Sequence, residues 1–310
     1  MLLALALVIS TAGVVGQSKG IIPDVRAAIA ANDFSRGDQL LAAYKADKGT
    51  TPEMLAALSW MARGTLAAKQ YDKAESYAEQ TYTQATALLE KRALDANPNA
   101  DLPIAIGAAI EVLGQVSAAR GARTEAVTFL QGEVEKFKGT SIEMRIRKNL
   151  NLLTLEGKAA PAIELTEYLG AKPPALESFK SKVVLLFFWA HWCGDCKNQA
   201  PVLARLKERY GDQGLVLFAP TQRYGYTARG KTAPPDEEKL YIDEIRRTHY
   251  SVLEGQPIPL SNANHLRYGV STTPTIVLVD RAGIIRLYHP GQMTEEELDP
   301  LIKQLVNASF

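Results

Sequence analysis

Cysteine is nearly missing from this chain: there are two in 310 residues, Cys193 and Cys196. A framework of several disulfides is therefore excluded, and so is a cysteine-rich metal module. Histidine is almost as scarce. The four, at 191, 249, 265 and 289, include no closely spaced pair that would complete a tetrahedral zinc site beside the cysteines. An excess of either charge is lacking too. Lys plus Arg number 35 and Asp plus Glu 34, a formal net charge of +1, so nothing points to nucleic acid and no acidic tail appears.

Charge is absent altogether before Lys19, and Leu2–Val15 is an apolar run. Val14-Val15-Gly16 supplies small residues ahead of a cut before Gln17, so residues 1–16 read as a secretory signal peptide without the usual basic start. An uncleaved anchor is the alternative, because roughly eighteen uncharged residues just reach spanning length. Gly13, Gly16, Thr11 and Ser10 favour cleavage, and the absence of a nearby cysteine excludes a lipid on that residue. Either way the body of the protein is expected outside the cytoplasm, in a periplasm, where disulfides persist.

What is present is concentrated in one stretch. Val183–Ala190 is apolar, β-branched and aromatic, the composition of a strand buried on both faces. It runs into Cys193-Gly194-Asp195-Cys196 and then a helical pattern over Lys197–Tyr210, with Leu203, Leu206 and Tyr210 on one side and Pro201 as a kink. A strand thus delivers Cys193 to a helix N-terminus, where unpaired N–H groups and the macrodipole favour a thiolate. A purely structural disulfide is a poor alternative, since closing so short a loop is worth only roughly 2 kcal/mol. The pair reads as a redox dithiol.

Trp189-Ala190-His191-Trp192-Cys193-Gly194-Asp195-Cys196-Lys197 resembles the active-site signature of thioredoxin-fold proteins. Gly157–Leu165 and Leu176–Val184 resemble the entry of the TlpA-like, ResA-type branch, the extracytoplasmic thiol–disulfide oxidoreductases. Tyr268–Thr275 resembles the segment before that family's cis-proline. The resemblance covers residues 157–310. It implies an α/β thioredoxin-like domain that needs no cofactor and acts on protein thiols and disulfides, with an upstream electron-donor thiol protein.

Residues 20–156 are a different material, alanine-rich and nearly free of strand-like runs. Ala30–Tyr44, Leu58–Leu89 and Ile106–Phe137 read as paired helices with small residues where helices cross. Their arithmetic resembles tetratricopeptide repeats, carried by Leu113-Gly114, Gly121 and Ala126, by Trp60, Gly64, Ala74 and Ala78, and faintly by Phe34, Gly37 and Leu41. Gly37, Ala74 and Ala126 lie further apart than the repeat's roughly 34-residue period, so such repeats are degenerate. Stacked hairpins would offer a concave surface for a protein partner or self-association. Trp60, Tyr71 and Tyr77 serve equally well as ordinary packing aromatics. The expected architecture is an all-α, TPR-like domain followed by an α/β domain, with the boundary at the helix-breaking Gly157–Pro161.

Within 157–310 the sequence predicts strands at Ile163–Leu165, 183–190, Leu215–Ala219, Thr275–Asp280 and Ile284–Tyr288. Leu215–Ala219 completes a βαβ unit with a parallel neighbour. Thr221–Thr232 reads as a loop beside the active site, followed by a helix from Pro234-Pro235; Arg223 and Arg229 there serve equally as solvated surface. Thr294 and Glu297 form a capping box, and Pro300 breaks that helix unless Asp299 caps a new one.

The resemblance implies Cys193 as nucleophile and Cys196 as resolving thiol. It places Trp192 beside the sulfur, and Thr273 and Pro274 as the backbone that pairs with an extended substrate. Gly194 lets the loop bend. Four residues depart from the family pattern. Asp195 replaces proline and opposes the thiolate. Gln199 stands where a proton-handling glutamate is common, and Phe187 where thioredoxin has a buried aspartate. His191, if charged, favours the thiolate. The proton acceptor for Cys196 is unassigned, with Asp195 or water as candidates. The alternative function is a helical adaptor whose thioredoxin-like half only docks partners. A thiol peroxidase is disfavoured because Ala190, not threonine, lies three residues before Cys193.

Overall fold

The computed structural model describes residues 20–97 and 100–308; the signal or anchor expected at residues 1–16 lies outside them. The chain divides into two compact units, one ending at Val112 and the other beginning at Leu113. This division falls inside a helix, whereas the expected boundary at Gly157, with φ +81°, lies where the helical run ends.

The first unit holds helices α1 (Ile21–Ala30), α2 (Phe34–Lys48), α3 (Pro52–Ala67), α4 (Tyr71–Ala87) and the start of α5 (Asp101–Ala119). Local signals set these ends. The Asp33 carboxylate accepts from the Arg36 N–H at 2.9 Å, and Thr51 caps α3 by accepting from the Met54 N–H at 3.2 Å, with Pro52 in the first turn. Helix α3 is the core: Leu55, Met61 and Ala62 are fully buried. The small residues sit where helices approach. A Cβ on Gly37 would fall 2.4 Å from the Met61 sulfur, and one on Gly64 2.6 Å from Ile29 Cγ2. The guanidinium groups of Arg26 and Arg63 lie over the Trp60 ring, 4.4 and 3.6 Å from its centre, while the Tyr77 hydroxyl donates to Asp38.

The second unit begins with the end of α5 and continues through α6 (Arg123–Lys136) and α7 (Glu143–Thr154). Gly114 lets Leu130 of α6 approach α5, where an added Cβ would meet its side chain at 3.0 Å. There follow β1 (Tyr168–Leu169), β2 (Val183–Phe188), α8 (Gly194–Tyr210), β3 (Leu215–Phe218), α9 (Pro235–His249), β4 (Ile258–Pro259), α10 (Asn262–Tyr268), β5 (Thr275–Val279), β6 (Ile285–Pro290) and α11 (Glu295–Asn307). The main sheet has the order β3-β2-β5-β6. Strands β2 and β3 are parallel, as the βαβ reading requires, and β2–β5 and β5–β6 are antiparallel. Strand β2 is buried along its whole length, and its side chains alternate between two cores. Leu185 and Phe187 meet α8, α11 and Ile242 of α9, while Val184, Leu186 and Phe188 meet Tyr268 of α10 and Leu155.

Two expectations need correction. Ile163–Leu165 is not a strand. The Glu164 N–H donates to Asn264 Oδ1 at 2.7 Å and its carbonyl accepts from Asn264 Nδ2 at 2.9 Å, so one side-chain amide replaces the ladder. The sheet edge is paired earlier, by Gly157–Ala160 along β6, and a separate small ladder joins β1 to β4. Pro300 does not break its helix either. Helix α11 runs through it from the expected Thr294–Glu297 capping box, because Leu298, Ile302 and Val306 bury one stripe against the sheet. Tertiary burial offsets the missing N–H. Helix α8 likewise continues through Pro201.

Candidate active site

Strand β2 ends at Phe188, and the next residues are anchored before the chain turns into α8. The Trp189 indole donates to the Ala219 carbonyl at 3.1 Å, its own carbonyl accepts from the Thr221 hydroxyl at 2.8 Å, and its ring packs 4.7 Å from Tyr250. These bonds tie the ends of β2 and β3 together and fix where Cys193 emerges. Cys193 is the N-cap of α8: its sulfur accepts from the Cys196 N–H at 3.0 Å, the place of an oxygen in an ordinary cap. Cys193 and Cys196 are joined as a disulfide. Cys196 is wholly buried and Cys193 keeps 3% of its surface, so only Cys193 is open to attack from outside.

The other predicted residues converge on this cap to different degrees. The Thr273–Pro274 bond is cis, and Cys193 Sγ lies 3.4 Å from the Thr273 carbonyl oxygen, a separation a thiol S–H can bridge. Trp192 is half exposed beside the sulfur and packs edge-on against Tyr224 at 5.4 Å. Gly194 is the first residue of α8 with no positive φ, and a Cβ there would meet nothing within 4 Å. The bend therefore does not require glycine; what it leaves is open space at the first residue of α8. Asp195 is exposed, and its carbonyl accepts from Gln292 Nε2 at 2.7 Å.

Gln199 is buried and fully engaged. Its amide nitrogen donates to the Met293 carbonyl and its oxygen accepts from the Met293 N–H, both at 2.9 Å. It joins α8 to the chain leading into α11. Phe187 is buried 6.3 Å from Tyr250, with no carboxylate in its place. His191 is turned into a box of tyrosines, 5.6, 5.3 and 5.4 Å from the rings of Tyr224, Tyr226 and Tyr241. Burial holds its imidazole below the ordinary histidine range although Glu238 lies 3.5 Å from Nε2 and pulls the other way, and Lys197 adds to the lowering. Its expected role as a positive charge beside the thiolate is thus opposed by its surroundings.

Sequence reasoning missed Glu238. It lies in the acidic first turn of α9 yet is buried, accepting from the backbone N–H groups of Tyr224 at 2.5 Å and Gly225 at 3.0 Å. Three consecutive acids follow Pro235, and nothing local says which of them turns inward. Arg223 is not solvated surface: it forms a forked pair with Glu167 and donates to the Pro235 carbonyl at 2.9 Å.

Residues 177–305 match the model of a thioredoxin-like domain. The chain is 30% identical to the "Thioredoxin-like protein YneN" of Bacillus subtilis, over 46% of this chain and 76% of that protein. It is 30% identical to the "Thiol:disulfide interchange protein HelX" of Rhodobacter capsulatus, over 48% and 77%. It is 26% identical to the "Thiol-disulfide oxidoreductase ResA" of Bacillus thuringiensis subsp. konkukian, over 48% and 78%. With a two-cysteine helix cap, a cis-proline beside it and relatives matched over three quarters of their length, the chain belongs through its C-terminal half to the thioredoxin-like thiol–disulfide oxidoreductases.

Proposed function

We propose that the protein reduces specific disulfides of other proteins outside the cytoplasm. The carrying observation is the asymmetry of the pair: Cys193 caps a helix, keeps the only accessible surface and faces the Thr273 carbonyl, while Cys196 is sealed behind it. In the reduced enzyme the Cys193 thiolate attacks one sulfur of the client disulfide. A mixed disulfide forms, and the other client sulfur leaves as a thiolate that takes up a proton. Cys196, losing its proton, attacks Cys193, forms the Cys193–Cys196 bond and releases the second client thiol. Two electrons pass from the enzyme to the client, and an upstream thiol protein restores the dithiol.

In this reading Trp192 and the Thr273–Pro274 backbone bind the client, with an extended segment pairing to Thr273. Asp195 tunes the thiols, Gly194 keeps the approach clear, and His191 packs within the tyrosine cluster instead of supplying a charge to the thiolate. Gln199 acts by holding α8 in place. Residues 20–156 are read as degenerate tetratricopeptide-like hairpins that hold a partner or a second copy. Export is supported by the uncharged apolar run at Leu2–Val15 and by the suitability of that compartment for a working dithiol.

Trapping tests the reading. A Cys196→Ser variant expressed in the native host should accumulate disulfide-linked client adducts that thiol reagents release, and Cys193→Ser should show none. No adducts from Cys196→Ser, with partners still captured by the full chain, would favour the adaptor alternative.

A further inference from the structure

Beside the dithiol lies an aromatic cluster with an ionisable side chain beneath it. The loop after Thr221 carries Tyr224 and Tyr226, whose rings lie 6.3 Å apart, and Tyr224 meets the exposed Trp192 edge-on at 5.4 Å. That loop is held from below. Both oxygens of the buried Glu238 accept backbone N–H groups, Oε1 from Tyr224 and Oε2 from Gly225. Glu238 belongs to α9, and α9 is fixed to the domain through buried Ile242. A carboxylate is the group suited to this place, because it alone presents two acceptors to two adjacent N–H donors. A glutamine would turn an NH2 toward one of them.

We propose that Glu238 is a positioning residue for client choice: it seats the 221–233 loop so that Tyr224 braces Trp192, making a wall along the approach to Cys193 that polypeptide disulfides contact and small disulfides do not. Trp192 alone is a half-exposed ring on a turn. Backed by Tyr224 it becomes a fixed apolar surface next to Cys193 in the chain, and the Thr273 carbonyl, 3.4 Å from Cys193 Sγ, is a backbone acceptor at the same sulfur. A chain reaching Cys193 would have both an aromatic face and a hydrogen-bonding edge to meet. A disulfide with no polypeptide around it reaches the sulfur without using either. This inference rests on the oxidoreductase reading and refines it.

The test uses the full-length reduced protein in single turnovers with two disulfides, cystamine and insulin. For Glu238→Gln the second-order rate with insulin should fall about tenfold, the size of one aromatic contact, while the rate with cystamine stays within about twofold. The cystamine rate also reports that the variant is folded. Tyr224→Ala should lower the insulin rate similarly, and the double variant should be no slower than either single one, because Glu238 acts through Tyr224. Equal losses with both disulfides, no loss with insulin, or additive losses in the double variant would each overturn the proposal. So would a wild-type protein that reduces cystamine but not insulin. A wild-type protein that reduces neither would remove the oxidoreductase reading itself.

Discussion

Gly269 sits against the backbone of Lys148, so closely that a Cβ on it would fall 2.5 Å from the Lys148 nitrogen and 2.7 Å from the Arg147 carbonyl carbon. Gly269 is the left-handed cap of α10, with φ +64°, and it begins the segment that leads to Thr273 and Pro274. Helix α7 therefore buttresses the side of the domain from which the cis-proline segment departs.

Gly269→Ala should destabilise the C-terminal unit severely. The left-handed conformation alone costs a residue with a side chain about 1 kcal/mol, and overlap with backbone that cannot rotate away brings the total to about 3 kcal/mol or more. Denaturant unfolding followed through the tryptophans reads this directly. A loss below about 1 kcal/mol would contradict the close packing of Gly269 on α7.

Gln199→Glu should be destabilising and pH-dependent. The new carboxylate can accept from the Met293 N–H, but it faces the Met293 carbonyl where an amide N–H now donates. The expected cost at neutral pH is about 2–4 kcal/mol. Burial beside that carbonyl raises the folded-state pKa above the unfolded value of roughly 4.3, so above that pH the folded state binds more protons than the unfolded one. The deficit should therefore shrink as pH falls from 8 toward about 4.5. Thermal melts of the variant across that range check the sign.

His265 gives the opposite dependence. It is wholly buried against the edge of Phe188 at 5.4 Å, and burial pushes its pKa down to about 3, against a smaller opposing effect of the Ser261 backbone. The unfolded histidine titrates near roughly 6.5, so between the two values the unfolded state binds the extra proton. Stability contributed by the neutral ring is present above pH 6.5 and lost on acidification, by up to about 1.4 kcal/mol per pH unit. His265→Leu should flatten the acid limb of the stability curve by that slope between about pH 6 and 4. An unchanged slope would contradict the assignment.

The sequence made the active-site end of the fold legible because its signals are local. Strand β2 is a continuous apolar run, Cys193 opens the next helix, Asp280–Gly283 turns the hairpin and Thr294–Glu297 cap α11. The failures are non-local. Asn264, distant in the chain, supplies the bonds that keep Ile163–Leu165 from pairing as a strand, and Pro300 is carried by a stripe that only the sheet reveals. The site divides the same way. Cys193, Cys196, Thr273 and Pro274 stand in recognisable spacing, while Glu238 and its tyrosines come from the loop and helix after β3, whose packing no local pattern encodes.

The central claim is that Cys193 is the acidic, reachable thiol and Cys196 the sealed one, and limiting alkylation of the reduced protein measures this most directly. With iodoacetamide at a series of pH values, Cys193 should be modified first and alone, and its rate should persist below the free-cysteine pKa of roughly 8.5, as a helix-capping thiolate requires. Modification of Cys196 first, or of both at equal rates with the pH dependence of free cysteine, would contradict the account.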